Sequence, residues 1–189
     1  MTVSVSNLPE NHNATLVKYI DVPIIDAFVT LVDYDTNYEN SIKAMLNGIL
    51  AHYFPTGMGY AVAPKQNLDN KSSHFLVCRL QRHFSEDRSI VDHALVKAKR
   101  RLDTLEESVE QLTEALENSN TEHGQCWAIL AVDASLIFYE YFKDLPKNEN
   151  LLPWCPPGRA TNSLHIRHDY EAIDWMFDYM RQNGEPRAR

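Results

Sequence analysis

A run of apolar residues at alternating spacings of three and four constrains this chain most. Between Ser85 and Asn118 these residues are Leu95, Ala98, Leu102, Leu105, Val109, Leu112 and Leu116. Such a repeat keeps apolar side chains along one side of a helix. It predicts a helix of about 30 residues, roughly 45 Å long at ~1.5 Å per residue. Because this is longer than most globular helices, we expect it to back a sheet, to pair with another chain, or to do both.

The composition indicates one compact domain. The chain has 189 residues, 44% of them hydrophobic, and a formal net charge of −8, which argues against a generally basic, nucleic-acid-coating protein. Three scattered cysteines and the lack of a long apolar stretch favour a reduced intracellular protein, cytoplasmic or nuclear. We expect a flexible arm over residues 1–15, a globular domain over 16–183 and a flexible tail over 184–189.

The remaining segments predict alternating helices and strands. Thr36 and Glu39 have capping-box spacing before a helix over residues 37–53, whereas residues 16–32 fit a strand or a helix. Strands are predicted at 60–63, 74–84 and 164–167, and a hairpin at 126–132 and 136–142. The proline-rich stretch 151–158 should lack regular structure and insert Trp154, and Asp169 should cap a last helix. This order predicts an α/β (α+β) fold, a mixed β-sheet flanked by helices, one of them long.

The strand over residues 74–84 changes character along its length. Because strand side chains alternate, Phe75, Val77, Arg79 and Gln81 should share one face. That face is apolar at first and polar at its end.

The order of elements and three strand segments together resemble the PD-(D/E)XK nuclease-like fold. The segments are FLVCRLQR at 75–82, CWAILAV at 126–132 and IFYEY at 137–141. The likeness is closest to restriction-endonuclease-like proteins of fungal type and covers residues 37–180. It implies a restriction-endonuclease-like sandwich. In active members, an acid ahead of the central strand and an acid-x-lysine on it hold Mg²⁺ and position water.

The catalytic pattern of that family is incomplete here. Asp69 can supply the first acid, but the acid-x-lysine position falls on Cys78-x-Leu80 or on Arg79-x-Gln81, and neither pair contains a carboxylate. The resemblance therefore implies a fold without nuclease chemistry and without a cofactor, or a Mg²⁺ enzyme with displaced acids. Candidates for displaced acids are Glu39, Asp69, Glu86 and Asp87. A different reaction in the same cleft would use Asp69, Arg79, Gln81 and His83.

Charge is unevenly distributed along the predicted long helix. Residues 79–101 contain seven basic and three acidic residues, whereas residues 102–142 contain nine acids and neither Lys nor Arg. This order opposes the helix dipole, so local stability does not explain it. Three interpretations remain: a solvated face, self-association through the apolar seam, or phosphate binding by a basic cluster. The seam is Leu102, Leu105, Val109, Leu112 and Leu116, and the basic cluster is Lys97, Lys99, Arg100 and Arg101.

The sequence favours buried, reduced cysteines over a zinc site. His74-x3-Cys78 and His123-x2-Cys126 have spacings that occur in zinc sites, but both cysteines fall in predicted buried strands.

The leading hypothesis is a catalytically degenerate nuclease-like domain that serves as a binding or regulatory module and forms a homodimer through the long helix. The alternatives are a metal-dependent nuclease or other enzyme with displaced acids, and a coiled-coil adaptor.

Overall fold

A computed structural model describes residues 17–34, 39–66, 73–82, 88–99 and 103–187. The helices within these ranges are α1 (Pro23–Tyr34), α2 (Glu39–Tyr53), α3 (Leu105–Glu117) and α4 (Tyr170–Gln182). The strands are β1 (Tyr60–Gln66), β2 (Ser73–Arg82), β3 (Arg88–Ala98), β4 (Gln125–Val132), β5 (Ser135–Phe142), β6 (Leu151–Pro153) and β7 (Ser163–His165). Among the described helices, none is long and apolar enough to cross a membrane.

The strands form one mixed sheet in the order β1-β2-β3-β4-β5, with β6 and β7 both paired to the outer edge of β5. β1, β2 and β3 are an antiparallel meander, and β4 lies parallel to β3. Parallel neighbours need a crossover, which α3 provides. β4 and β5 form the predicted hairpin. The predicted mixed sheet flanked by helices is confirmed.

Two apolar clusters lie on opposite faces of the sheet. α1, α2 and α4 cover one face, and α3 covers the other. Successive side chains of β4 point to opposite faces of the sheet. Trp127 and Ile129 belong to the first cluster, and Ala128 and Leu130 belong to the second. A strand buried on both faces reads as a continuous apolar run, which explains the sequence of residues 126–132.

The predicted helix over Ser85–Asn118 is wrong in its first half, because Arg88–Ala98 is β3 and the helix spans only Leu105–Glu117. Leu95 and Ala98, the first two positions of the apolar repeat, lie in the clusters on opposite faces of the sheet. The true helix start is marked by a capping box: the Thr104 hydroxyl accepts from the Glu107 amide at 3.1 Å, and the Glu107 carboxylate accepts from the Thr104 amide at 2.7 Å.

The C-terminal part of the apolar seam packs inside the chain. Leu112 and Leu116 are fully buried on α3, in one cluster with Leu95 and Leu130 of the sheet. These two leucines are therefore not accessible to a partner helix. Leu105 is 43% exposed and Val109 half-buried, and Leu102 lies outside the described residues.

Other predicted elements differ in detail. α2 is confirmed, with Thr36 of its predicted capping box outside the described residues, and residues 23–34 prove to be helix. Trp154 is buried as predicted, 4.4 Å from Trp127 between ring centroids, but Leu151–Pro153 is a short strand despite its proline.

Asp169 precedes α4 as predicted without capping it. Its carboxylate accepts from the His165 backbone amide at 2.8 Å instead of from an amide of the helix. The aspartate therefore closes the turn that leads into α4.

Candidate functional site

Arg79 and Gln81 of the predicted site both contact Glu122, a residue that was not predicted. Arg79 Nη2 lies 2.5 Å from Glu122 Oε2, and Gln81 Nε2 donates to Glu122 Oε1. The alternation of β2 places both side chains beyond Val77, on the face that carries the larger cluster. Glu122 belongs to a 3₁₀ turn, Glu122–Gly124, that leads into β4. Asp69 and His83 lie outside the described residues.

A β-bulge brings His93 beside this group. Val77 pairs with Ala94 and Cys78 with Asp92, so His93 is the extra residue of β3. Its buried ring packs against Phe54 and Tyr60, at centroid distances of 5.4 and 5.2 Å. Burial lowers the pKa of His93 to about 4, which outweighs its hydrogen bond to a backbone carbonyl. The ring is therefore neutral at pH 7.

The segment that follows α4 lies against the sheet. His93 Nδ1 is 3.0 Å from the Gly184 carbonyl oxygen, and Trp127 Nε1 donates to the Asn183 carbonyl oxygen at 3.4 Å. A Cβ atom on Gly184 would lie 2.8 Å from Arg79 Nη2, so a larger residue here would require the guanidinium to shift. The segment is held by hydrogen bonds from side chains of β3 and β4.

Glu185 brings a second carboxylate to the turn. Its Oε2 atom is 3.0 Å from His123 Nδ1, and this hydrogen bond raises the pKa of His123. Glu122, His123 and Glu185 each offer one ligand atom, and these atoms lie within 4.8 Å of one another. His123 has a left-handed backbone, with φ 49°, and an exposed side chain. Glu122 and Glu185 were not predicted, because they come from a breaker segment and a presumed tail.

Lys97 is a buried residue of β3, so the predicted phosphate contact by its side chain is wrong. The side chain is fully buried, and Nζ donates to Gln111 Oε1 of α3 at 2.6 Å. The residue two positions earlier is Leu95, so this strand also lacks an acid-x-lysine pair. Lys99 is half-buried, and Arg100 and Arg101 lie outside the described residues.

A second polar cluster joins α1 to the turn before α4. The Arg167 guanidinium donates to Asp33, Asp26 and Thr30 at 2.5, 3.1 and 2.8 Å. His165 Nε2 lies 3.8 Å from the other oxygen of Asp33, beside an open cleft of about 400 Å³. Because the donors of Arg167 are engaged by α1, this cluster acts as a structural tie rather than as a free cationic site.

The outer face of α3 forms one wall of an acidic groove. Its volume is about 590 Å³; half-buried Val109 and Leu151 supply its apolar surface, and exposed Glu110 and Glu114 its charge. Lys147 also lines the groove and lies 3.4 Å from Glu117. The groove therefore combines an apolar surface with excess negative charge.

The described residues thus form a polar cluster around Glu122, a structural tie at Arg167 and an acidic groove on α3. None of these three features identifies a protein family. Comparison with protein-family models, with curated proteins and with solved structures finds no match to this chain.

Proposed function

We propose that this chain is a nuclease-like domain without nuclease chemistry that acts as a protein-binding module. Two features support the first part. The chain folds into a mixed sheet flanked by helices, the architecture that the resemblance implies, although β3 stands where the first half of a long helix was expected. Neither β2 nor β3 carries a carboxylate two residues before a lysine, so the usual Mg²⁺ site lacks its strand ligand.

A cleavage assay tests the loss of chemistry. The full chain is incubated with a mixed DNA and RNA substrate in Mg²⁺ or Mn²⁺, and we expect no cleavage above the metal-only blank. Asp69→Ala is the critical variant and Asp133→Ala its matched control, because Asp133 lies in the β4–β5 turn. Metal-dependent cleavage that is lost in Asp69→Ala and kept in Asp133→Ala would replace this proposal by the enzyme alternative.

The charge of α3 is the observation that carries the binding function. Six acids lie within residues 103–117, and residues 102–142 contain neither Lys nor Arg. Acids in the first turn suit the helix dipole, but Glu114 lies in the last turns, where negative charge is unfavourable by about 0.3–1 kcal/mol. Glu117, in the same turns, is paired with Lys147. At the C-terminal end of α3, Glu114 therefore does not stabilise the isolated domain. The charge of α3 favours binding of a positively charged partner.

The groove defines the chemistry of that partner. Apolar side chains at Val109 and Leu151 can receive an apolar anchor, while Glu110 and Glu114 can pair with flanking cations. A basic segment with spaced apolar residues fits both parts. The partner we propose is therefore a Lys- or Arg-rich amphipathic peptide segment of another protein.

Peptide binding tests this surface. A fluorescent peptide of alternating Lys and Leu is titrated with the wild type and with the double variant Glu110→Gln/Glu114→Gln, for which we expect about tenfold weaker binding, or ~1.4 kcal/mol. The variant Asp21→Asn/Asp133→Asn removes the same charge from two exposed positions elsewhere and should change affinity less than about twofold. Equal weakening in both variants would mean non-specific attraction to an acidic protein and would refute the site.

Self-association remains a prediction, as does nucleic-acid binding. Among the described residues, large apolar side chains are exposed together on α1, where Ile24, Leu31 and Tyr34 share one face. A dimer would therefore use α1 rather than the buried leucines of α3. Sedimentation equilibrium of the full chain measures its mass directly.

A further inference from the structure

The turn before β4 and the segment after α4 place one imidazole beside two carboxylates. Two of the three residues, Glu122 and His123, are adjacent in sequence, and Glu185 is 62 positions beyond His123. We propose that Glu122, His123 and Glu185 form a binding site for Zn²⁺. The site lies apart from the α3 groove and does not depend on the function proposed above.

The separations of the ligand atoms suit a small divalent cation. Three ligands at ~2.0–2.2 Å from a tetrahedral Zn²⁺ are roughly 3.4 Å from one another. His123 Nδ1 already lies 3.0 and 3.2 Å from the two carboxylate oxygens of Glu185. The ligand atom of Glu122 lies within 4.8 Å of those of the other two residues.

Glu122 is oriented by hydrogen bonds from outside the cluster. Arg79 donates to Oε2 and Gln81 to Oε1. A carboxylate oxygen has two lone pairs, so each oxygen keeps one for a metal ion. Outer partners of this kind fix the direction of a ligand and typically change metal affinity by about 10–100-fold.

The segment that carries Glu185 is also held in place. The Gly184 carbonyl accepts from His93, the Asn183 carbonyl accepts from Trp127, and Pro186 is buried. The backbone on both sides of Glu185 is therefore anchored before any metal binds, which reduces the conformational entropy that binding would remove.

The ligand set selects among metals. One nitrogen and two carboxylate oxygens suit Zn²⁺, whereas Mg²⁺ and Ca²⁺ prefer oxygen alone. His123 is exposed and the two glutamates are half-buried, so water can complete the coordination. A bound ion would join the β4 turn to the C-terminal segment across the end of the sheet.

Zn²⁺ titration of the full chain by calorimetry, with reducing agent present, tests the site. Wild type should bind one equivalent saturably, and His123→Ala and Glu185→Gln should each bind at least about tenfold more weakly. His168→Ala removes another exposed imidazole and Glu149→Gln another exposed carboxylate, and both controls should bind as the wild type does. Thermal melts without metal verify that every variant is folded.

Co²⁺ substitution supplies a second readout that identifies the ligands. We expect visible d–d absorption without a thiolate-to-metal band in the near ultraviolet, because Cys78, Cys126 and Cys155 are outside the site. A thiolate band, equal affinity in His123→Ala and wild type, or no saturable binding up to about 1 mM Zn²⁺ would each overturn the proposal.

Discussion

Leu112→Ala is expected to lower the free energy of unfolding by about 2–5 kcal/mol, the usual range for removing a buried leucine side chain. Leu112 is fully buried on α3 and packs in one cluster with Leu95 and Leu130 of the sheet. Truncation removes apolar contacts and leaves a cavity between helix and sheet. Urea denaturation followed by circular dichroism measures the change.

Leu105→Ala is the matched control for this variant. The two residues lie on the same helix and lose the same atoms, but Leu105 is 43% exposed. We expect its substitution to change stability by less than about 0.5 kcal/mol. Two outcomes would mean that the seam faces a second chain. One is an equal loss of stability in Leu105→Ala and Leu112→Ala, and the other is a lower mass of Leu112→Ala in solution without a loss of stability.

The second large effect is a loss of stability in acid caused by His93. Its folded-state pKa of about 4 is below the usual value of 6.5, because the ring is buried and the Arg79 guanidinium lies nearby. As pH falls below 6.5, the unfolded chain binds this proton first, so stability falls until pH reaches about 4. The contribution lost over that interval is about 3 kcal/mol.

The pH dependence of stability isolates this residue. Urea midpoints are measured between pH 7 and pH 4 for wild type, His93→Phe and His168→Gln. Phenylalanine cannot titrate, so we expect His93→Phe to have a flatter profile whatever its absolute stability, whereas His168→Gln should keep the wild-type slope because His168 is exposed. A wild-type slope in His93→Phe would contradict a neutral, buried His93.

Local patterns predicted much of this fold from the sequence. The alternation of β2, the apolar run of β4 and the stripe of α2 each occur within one element and follow from one periodicity. β3 was misread because its apolar residues continue by chance into the three-four spacing of α3. Thr104 and Glu107 supplied the signal that separates them, since a capping box marks a helix start.

The candidate site was less predictable than the fold. Strand alternation alone placed Arg79 and Gln81 on one face, but the position of Glu185 depends on how α4 crosses the sheet. The inward orientation of His93 depends on a bulge, which single-sequence periodicity does not reveal. Buried Lys97 was misassigned because a lysine followed by three basic residues resembles a surface cluster.

The division of the β5 edge between two short strands has a consequence for aggregation. β7 pairs with Ser135–Ile137, and β6 pairs with Tyr139–Tyr141. Because β6 and β7 are each only three residues long, neither of these outer strands presents a long row of unpaired backbone groups. At the opposite margin, β1 carries Pro64, which has no backbone donor. Both margins of the sheet are therefore poor templates for an added strand, which protects the protein from polymerising through its edges.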